Sequence, residues 1–406
     1  MSNHQRQGGT RRFSHAIIPT CFGVAVALLL GVLPMRALGS DAPKSAAAPA
    51  PGTDVIVFTN GDQLTGKLLQ ASAGKVTFHS DKVGDISVKW DEIKSLHTAQ
   101  HFAVIQQGQK ITRKTPTSEI PQGTIAVQNQ QIEVTSGAGA APREVSTQNA
   151  AFVVDEAAFD KAVHTNPNWR QNWTGSATAG IALVESTQKS TSFNVAFAAS
   201  RTTPNVTWLA PRQRTILDFS DVYGSISQPN VPTVKTSVLH AGAEQDWYLS
   251  PRLYALATAI FSHDYSQGLD LQEIYGGGLG YTAIKDAKQE LDLKADVHYE
   301  RQSFGQTPGV FPPVITPSKN LVGIDAGDVY MRKLVHGMIF NQSLVATPAL
   351  NQVKAFSALF TAGLVFPVYK RFGFSTGVQD AFLNDPAAGS NRNSFQFTGG
   401  VTYTFQ

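Results

Sequence analysis

From Trp169 to Phe405 apolar side chains recur at every second position, in one extended run after another. The last run, Ser394 to Phe405, shows the pattern plainly: Phe395, Phe397, Gly399, Val401, Tyr403 and Phe405 alternate with Gln396, Thr398, Gly400, Thr402 and Thr404. A strand has a side-chain period of two, so each run has one apolar and one polar face. Twelve such runs are read at roughly 170–185, 190–203, 212–226, 233–247, 252–264, 271–285, 288–302, 318–332, 336–347, 352–367, 370–382 and 392–405. Most exceed the five or six residues typical of a soluble strand, and reach the roughly 9–11 that a tilted strand needs to cross a bilayer. The fifth, Leu253–Phe261, is apolar on both faces and fits less well. The seventh is the clearest: Leu291, Leu293, Ala295, Val297 and Tyr299 oppose Glu290, Asp292, Lys294, Asp296, His298 and Glu300. A face this polar suits a wet lumen, with lipid against the other face. The fold expected is therefore all-β, a 12-stranded antiparallel transmembrane barrel over 169–406, closed because an open edge would leave unpaired amides in hydrocarbon. The final strand is expected to close it.

Turns support this reading. "YLSPR", "KDAK", "KLVHG" and "PVYKR" are tight, and longer connections such as "FGQTPGVFPPVITPSKN" and "NDPAAGSNRNS" fall between them. Short turns on one rim and longer loops on the other are the habit of outer-membrane barrels. "TTPNVTWLAPR" breaks the rule by being long where a short turn is due. Upstream, short strands are read at Val55–Phe58, Gln63–Leu69, Lys75–His79, Ile86–Lys89 and Ile93–Leu96, with Asn60-Gly61 as a tight hairpin turn, since both residues accept positive φ. This resembles a small bent SH3/Sm-like β domain. More strands follow near Phe102–Gln106, Thr124–Val127 and Ile132–Thr135. The pattern leaves open whether they complete that domain, taken as 53–135, or form another unit. Residues 136–168 read as a linker with one short helix, capped by Asp155 and ended by Pro167.

The N-terminus changes the picture of destination. Arg6, Arg11 and Arg12 precede the apolar run Cys21–Met35, and Ala37 and Gly39 follow it, so 1–39 reads as a signal peptide and 40–52 as an Ala/Pro-rich linker. The one cysteine lies within the signal, which leaves an exported chain without disulfides. A net charge of +3 gives no reason to expect a nucleic-acid partner.

Two stretches, "VIVFTNGDQLTGKLLQASAGKVTFHSDKVGDISVKWDEIKSL" and "GGGLGYTAIKDAKQELDLKADVHYERQSF", resemble domain-of-unknown-function family 481, a family of salt-induced outer-membrane barrels. The resemblance covers about Trp169 to Phe405, and includes the Gly278-Leu279-Gly280-Tyr281 strand end that turns into Leu291–Tyr299. Asn60 to Gly66 is similar to the small domain that often precedes the barrel. Gly400, Tyr403 and Phe405 resemble the C-terminal signal read by barrel-assembly machinery. The family implies no catalytic residues, so none are carried over.

The ladder Glu290, Asp292, Lys294, Asp296, His298 and Glu300 offers metal-ligand and acid/base chemistry by residue type. It is read here as a lumen face whose acids are offset by Lys294, Lys285 and Arg332. No metal, cofactor or catalytic site is assigned, and no enzyme activity is expected. "GGGLG" lies inside a strand and is read as easing curvature, not as a phosphate loop. His240, His263 and His298 lie on different strands without ligand spacing. Trp173, Trp247, Tyr248, Tyr265, Tyr369, Tyr403 and Phe405 suit interfacial girdles. The function expected is an outer-membrane barrel with a structural or envelope-stress role and passage of small solutes through a weakly selective polar lumen. The alternatives are an outer-membrane hydrolase using Ser262-His263-Asp264, or a binding module. In the latter, the N-terminal domain, on the periplasmic side, contacts peptidoglycan or a periplasmic partner. The partners expected are outer-membrane lipid and the assembly machinery.

Overall fold

The structure is a computed structural model that describes residues 53–137, 141–185, 189–228, 231–305, 316–352 and 354–405. The stretches read as a signal peptide and an Ala/Pro-rich linker lie outside the described residues.

The N-terminal part is one nine-stranded sheet. Its strands are β1 (Asp54–Phe58), β2 (Gln63–Ser72), β3 (Lys75–Ser80), β4 (Gly84–Lys89), β5 (Ile93–Gln106), β6 (Gln122–Gln128), β7 (Gln131–Thr135), β8 (Arg143–Ser146) and β9 (Ala150–Asp155). The order is β4-β3-β2-β1-β5-β6-β7-β8, with β9 pairing β2 and β5. The two β-rich pieces are thus a single unit, because β5 runs unbroken through both. The stretch read as a linker from 136 carries β8 and β9, so the domain extends past 135. Alternating residues of these strands, Ile56, Val76, Phe78, Leu96, Val104, Ile132 and Val153 among them, form its buried core. Asp54 is buried there as well. Its carboxylate accepts from Leu68 N at 2.7 Å and Ala99 N at 2.8 Å, tying β2 to β5.

The Asn60-Gly61 turn joins β1 to β2 as expected. Only Gly61 has positive φ, +93°, and Asn60 acts through its side chain, Oδ1 accepting from Asp62 N at 3.0 Å. Within this domain both residues have positive φ at Ala73-Gly74 and at Asn129-Gln130. Helix α1 (Glu156–His164) begins where expected: Asp155 accepts from Ala158 N at 2.8 Å.

Beyond it, β10 (Trp173–Glu185), β11 (Lys189–Thr203), β12 (Gln213–Gln228), β13 (Val231–Tyr248), β14 (Leu253–Asp264) and β15 (Leu269–Lys285) form one half of a closed barrel. The other half is β16 (Gln289–Phe304), β17 (Lys319–Lys333), β18 (Ile339–Pro348), β19 (Phe356–Tyr369), β20 (Phe372–Leu383) and β21 (Asn393–Phe405). Each strand pairs antiparallel with the next. The last closes on the first, with Gly175 opposite Phe405 and Ala179 opposite Val401. Burial runs inside out relative to a soluble protein: Val297 is 63% exposed and Phe397 69%, whereas Asp246 is 0% and Glu300 2% exposed. Side chains alternate across each strand, so apolar residues wrap the outside and most of the polar residues line the lumen.

The strands begin and end at what we call the N-terminal rim, where β10 starts and β21 finishes. Its turns are tight at 249–252, 286–288 and 370–371. At the second of these, hydrogen bonds from Lys288 N at 2.7 Å and the Gln289 side chain at 3.0 Å hold the Asp286 carboxyl below its usual range. The long exception, 204–212, has a packing reason. Trp208 stacks on Phe159 of α1, centroids 5.5 Å apart, and Trp208 and Leu209 join the core formed by Ile105, Ile120, Val154 and Val163. Arg212 donates to the α1 carbonyls of Ala162 and Val163, each at 3.4 Å, where the helix end carries negative partial charge. The connection is long because it pins the barrel to the N-terminal domain.

Candidate functional site

The lumen is where the polar residues converge. All six ladder residues of β16 face inward, in strict alternation with exposed Leu293, Ala295, Val297 and Tyr299. Their partners come from strands that the linear sequence does not bring near.

Toward the N-terminal rim the centre is Arg214 of β12. Its guanidinium donates to Asp246 at 2.6 Å, Asp292 at 2.7 Å and Glu290 at 3.2 Å. The rings of Tyr254 and Tyr248 lie 5.0 and 5.8 Å from it, within cation–π range. Tyr248 therefore serves the lumen and not an interfacial girdle, whereas Trp247 is exposed on the outside. The doubly apolar fifth strand is explained here too: Tyr254 and Leu256 are its inner face, and they are buried. The "GGGLG" glycines make the room. A Cβ on Gly280 would sit 2.2 Å from the Tyr254 ring, and one on Gly278 would meet Asp296 Cβ at 2.5 Å. Their role is clearance for inward side chains. Lys285 reaches Glu290 at 3.4 Å as expected. Arg332, expected to offset the ladder, is exposed at the end of β17 and makes no ion pair with it. Arg214 takes that part.

One step along the ladder, Lys294 donates to both oxygens of Glu244, at 2.6 and 2.7 Å. Further on, Asp296 and His298 meet Asp325 of β17. His298 Nδ1 is 3.4 Å from Asp325 and 3.9 Å from Asp296, and Nε2 is 3.9 Å from Glu300. Glu300 in turn accepts from the Gln272 and Gln302 amides. Lys294, Asp296, Asp325, Glu244, Asp218 and His240 border a cavity of about 470 Å³ inside the barrel.

The far rim is bridged. The turn Tyr265–Gln267 after β14 meets the 384–392 loop after β20, from the opposite wall. Gln267 donates to Ala381 O at 3.0 Å and Arg392 O at 3.1 Å, and its own carbonyl accepts from Ala387 N at 3.2 Å. Lys319 holds Asp385 at 2.6 Å. Gln267 and Ala387 are buried.

Ser262, His263 and Asp264 do not act together. His263 bonds the Asp270 carbonyl at 2.9 Å, while Asp264 caps the Tyr265–Gln267 turn. Ser262 instead faces His240 Nδ1 at 3.2 Å, and His240 Nε2 lies 3.0 Å from Asp218. Of the C-terminal residues, Tyr403 packs on Phe372 at 5.2 Å, Phe405 stacks on Phe197 at 5.9 Å, and Gly400 allows Ala179 O to approach where a Cβ would clash at 2.4 Å.

A closed antiparallel barrel with an apolar outer wall and charged, hydrogen-bonded inner wall defines a β-barrel of the membrane-spanning class. The profile of the family described as "Protein of unknown function, DUF481" matches residues 177–405, more than half of the chain, and the chain belongs to that family. No curated protein matches. Among solved structures, the chain is similar to the β domain of the Bordetella autotransporter Brka, at 14% identity over 57% of this chain and 97% of that one, TM-score 0.28. It is also similar to the translocator domain of autotransporter NalP from Neisseria meningitidis, at 11% identity over 57% and 87%, TM-score 0.30. A Pseudomonas aeruginosa FadL homologue matches at 10% identity over 87% and 86%, TM-score 0.22. Similarities this weak add nothing to the barrel read from the strand pairing.

Proposed function

We propose that the protein is an outer-membrane barrel of the cell envelope, with its N-terminal domain in the periplasm, that admits small cations slowly through a constricted polar lumen. The observation that carries this is the inside-out burial, since a wall of exposed Val, Leu and Phe over buried carboxylates is stable only with hydrocarbon outside. The lumen is not an open pore: Arg214 and its tyrosines narrow one end and the Gln267 bridge spans the other. The cavity lining carries Asp218, Glu244, Asp296 and Asp325 against Lys294, and that acidic excess favours cations, a sharper expectation than the weak selectivity inferred from the ladder's mixed signs. The partners in this reading are outer-membrane lipid, the assembly machinery that reads Gly400, Tyr403 and Phe405, and peptidoglycan or a periplasmic protein at the N-terminal domain. Planar-bilayer recording of the folded full chain in a salt gradient tests it. Small conductance with a reversal potential toward the cation is expected; an anion-selective or large open-pore conductance would sink it.

The Ser262–His240–Asp218 chain favours a second reading, a lumen hydrolase, because a hydroxyl, an imidazole and a carboxylate are in line at hydrogen-bond distance. Ester hydrolysis by the wild type that disappears in both Ser262→Ala and His240→Ala would establish it. Activity that survives both excludes this site.

A further inference from the structure

We infer that Asp296, His298 and Asp325 form a binding site for a divalent transition-metal cation of the Zn²⁺ type, inside the barrel wall at the edge of the lumen cavity. One ligand atom from each of the three residues lies within 4.8 Å of the others. Proximity of acids alone would not make a site. The second observation is His298, whose side chain is 0% exposed and whose two ring nitrogens have no hydrogen-bond partner among the described residues. Asp296 Oδ1 and Asp325 Oδ1 are buried without a partner as well. Buried polar atoms are ordinarily satisfied, and four orphans in one spot call for a ligand.

The spacing suits a metal better than a proton. At zinc–nitrogen and zinc–oxygen distances of about 2.0–2.2 Å, tetrahedral ligands stand roughly 3.3 Å apart. His298 Nδ1 lies 3.4 Å from Asp325 and 3.9 Å from Asp296 and makes a hydrogen bond to neither, yet both separations are near the edge length of a coordination shell. Glu300, 3.9 Å from the other ring nitrogen, is the carboxylate that would close on Nε2–H as Nδ1 takes the ion, the usual carboxylate–histidine–metal arrangement. Charge points the same way. Asp296, Glu300 and Asp325 surround one imidazole, and a single proton on the ring offsets less of that charge than a divalent ion. The nearest basic side chain on the ladder, Lys294, is committed to Glu244. Two glycines provide the clearance: a Cβ on Gly323 would sit 2.6 Å from His298 Nε2, and one on Gly276 would sit 2.7 Å from Asp296 Oδ1. Asp296 and Asp325 border the lumen cavity, which gives an ion its route in. One imidazole with two carboxylates suits a borderline cation such as Zn²⁺ over Mg²⁺ or Cu⁺.

The test uses the full chain, chelator-stripped and folded in detergent micelles, with Zn²⁺ as the probe and calorimetric stoichiometry as the readout. His79 with Asp81 and Asp85 on the N-terminal domain offers a surface background, so wild type is compared with His298→Gln and with the nearly isosteric Asp325→Asn. Wild type is expected to bind one more equivalent than either variant, and Glu300→Gln to bind that equivalent about 10–100-fold more weakly. Heat-modifiable migration reports that each variant is folded, and Asp325→Asn decides the matter if His298→Gln is not. No zinc bound by wild type, or equal stoichiometry and affinity in wild type and a folded variant, would overturn the inference.

Discussion

Arg214→Ala is the most informative perturbation of the lumen. Arg214 is 8% exposed, and its guanidinium makes three charge-assisted hydrogen bonds, at 2.6, 2.7 and 3.2 Å. Its removal does not affect the three acids alike. Glu290 keeps Lys285 at 3.4 Å and is partly solvated. Asp246 and Asp292, 0% and 4% exposed, keep no cation in contact among the described residues. Removing one partner of a buried pair costs about 3–5 kcal/mol, chiefly because the other charge is left behind. Lost cation–π contact with Tyr248 and Tyr254 adds about 1–2 kcal/mol. With a urea dependence of about 3 kcal/mol per M, a 4 kcal/mol loss lowers the unfolding midpoint by about 1.3 M. Tryptophan fluorescence of the chain in micelles or liposomes measures this. The triple variant Arg214→Met, Asp246→Asn, Asp292→Asn separates the cause: with no charge stranded, it should regain most of the loss. A fall of less than about 1 kcal/mol in Arg214→Ala, or a triple variant as unstable as the single, would refute the idea of a dry, obligatory pairing.

The bridge across the far rim predicts that replacing Pro386–Ser390 by two glycines raises single-channel conductance at least about twofold, as Gln267 loses its backbone partner Ala387; unchanged conductance would place the constriction elsewhere. Gly280→Val puts a side chain 2.2 Å from the Tyr254 ring, so overpacking should cost about 1–3 kcal/mol in the same unfolding assay. Adding Tyr254→Ala should recover part of it, and full additivity of the two would show that they do not touch.

Most of the barrel was legible because one rule, the period of two, applies to nearly every strand and each strand carries it independently. The N-terminal domain was harder at two points. The stretch His97–His101 looks like a break between two short strands, yet β5 runs through it. Thr98 Oγ1 accepts from Ile125 N at 2.8 Å and Ala99 N donates to Asp54, so side chains carry the ladder across a polar patch. β8 and β9 lie in an Ala- and Ser-rich stretch, and β9 pairs with β2 and β5 far upstream. Nothing local announces such a pairing. In the lumen, the ladder on β16 could be read, but its partners could not, because contacts across the barrel depend on closure and register. Lys285 was found since its hairpin is tight; Arg214 lies 76 residues from Glu290. Ser262 and His240 were recoverable. The tight "YLSPR" turn fixes the β13–β14 register and sets them directly opposite. Asp325 also sits directly opposite Asp296, but the long connection between their strands hides that register.

The two ends of the ladder pose the same electrostatic problem and meet it differently. Buried carboxylates must be paired, protonated or bound to a metal. At Asp246 and Asp292 the chain supplies its own cation, a planar fork able to serve several acids at once. Lys294 does the same for Glu244 with a point charge. At Asp296 and Asp325 the described residues supply only His298, whose ring nitrogens make no hydrogen bond to the carboxylates around it. A guanidinium introduced there would distinguish a mere deficit of positive charge from a shaped cation site. Gly323→Arg would supply the charge, but a Cβ there already meets His298 at 2.6 Å and the Pro348 carbonyl at 2.7 Å. Position 323 therefore has clearance for the imidazole of His298 and none for a longer cationic side chain of its own. That steric fact, more than the acidity of the lumen, is why the missing positive charge at this point is expected to come from outside the chain.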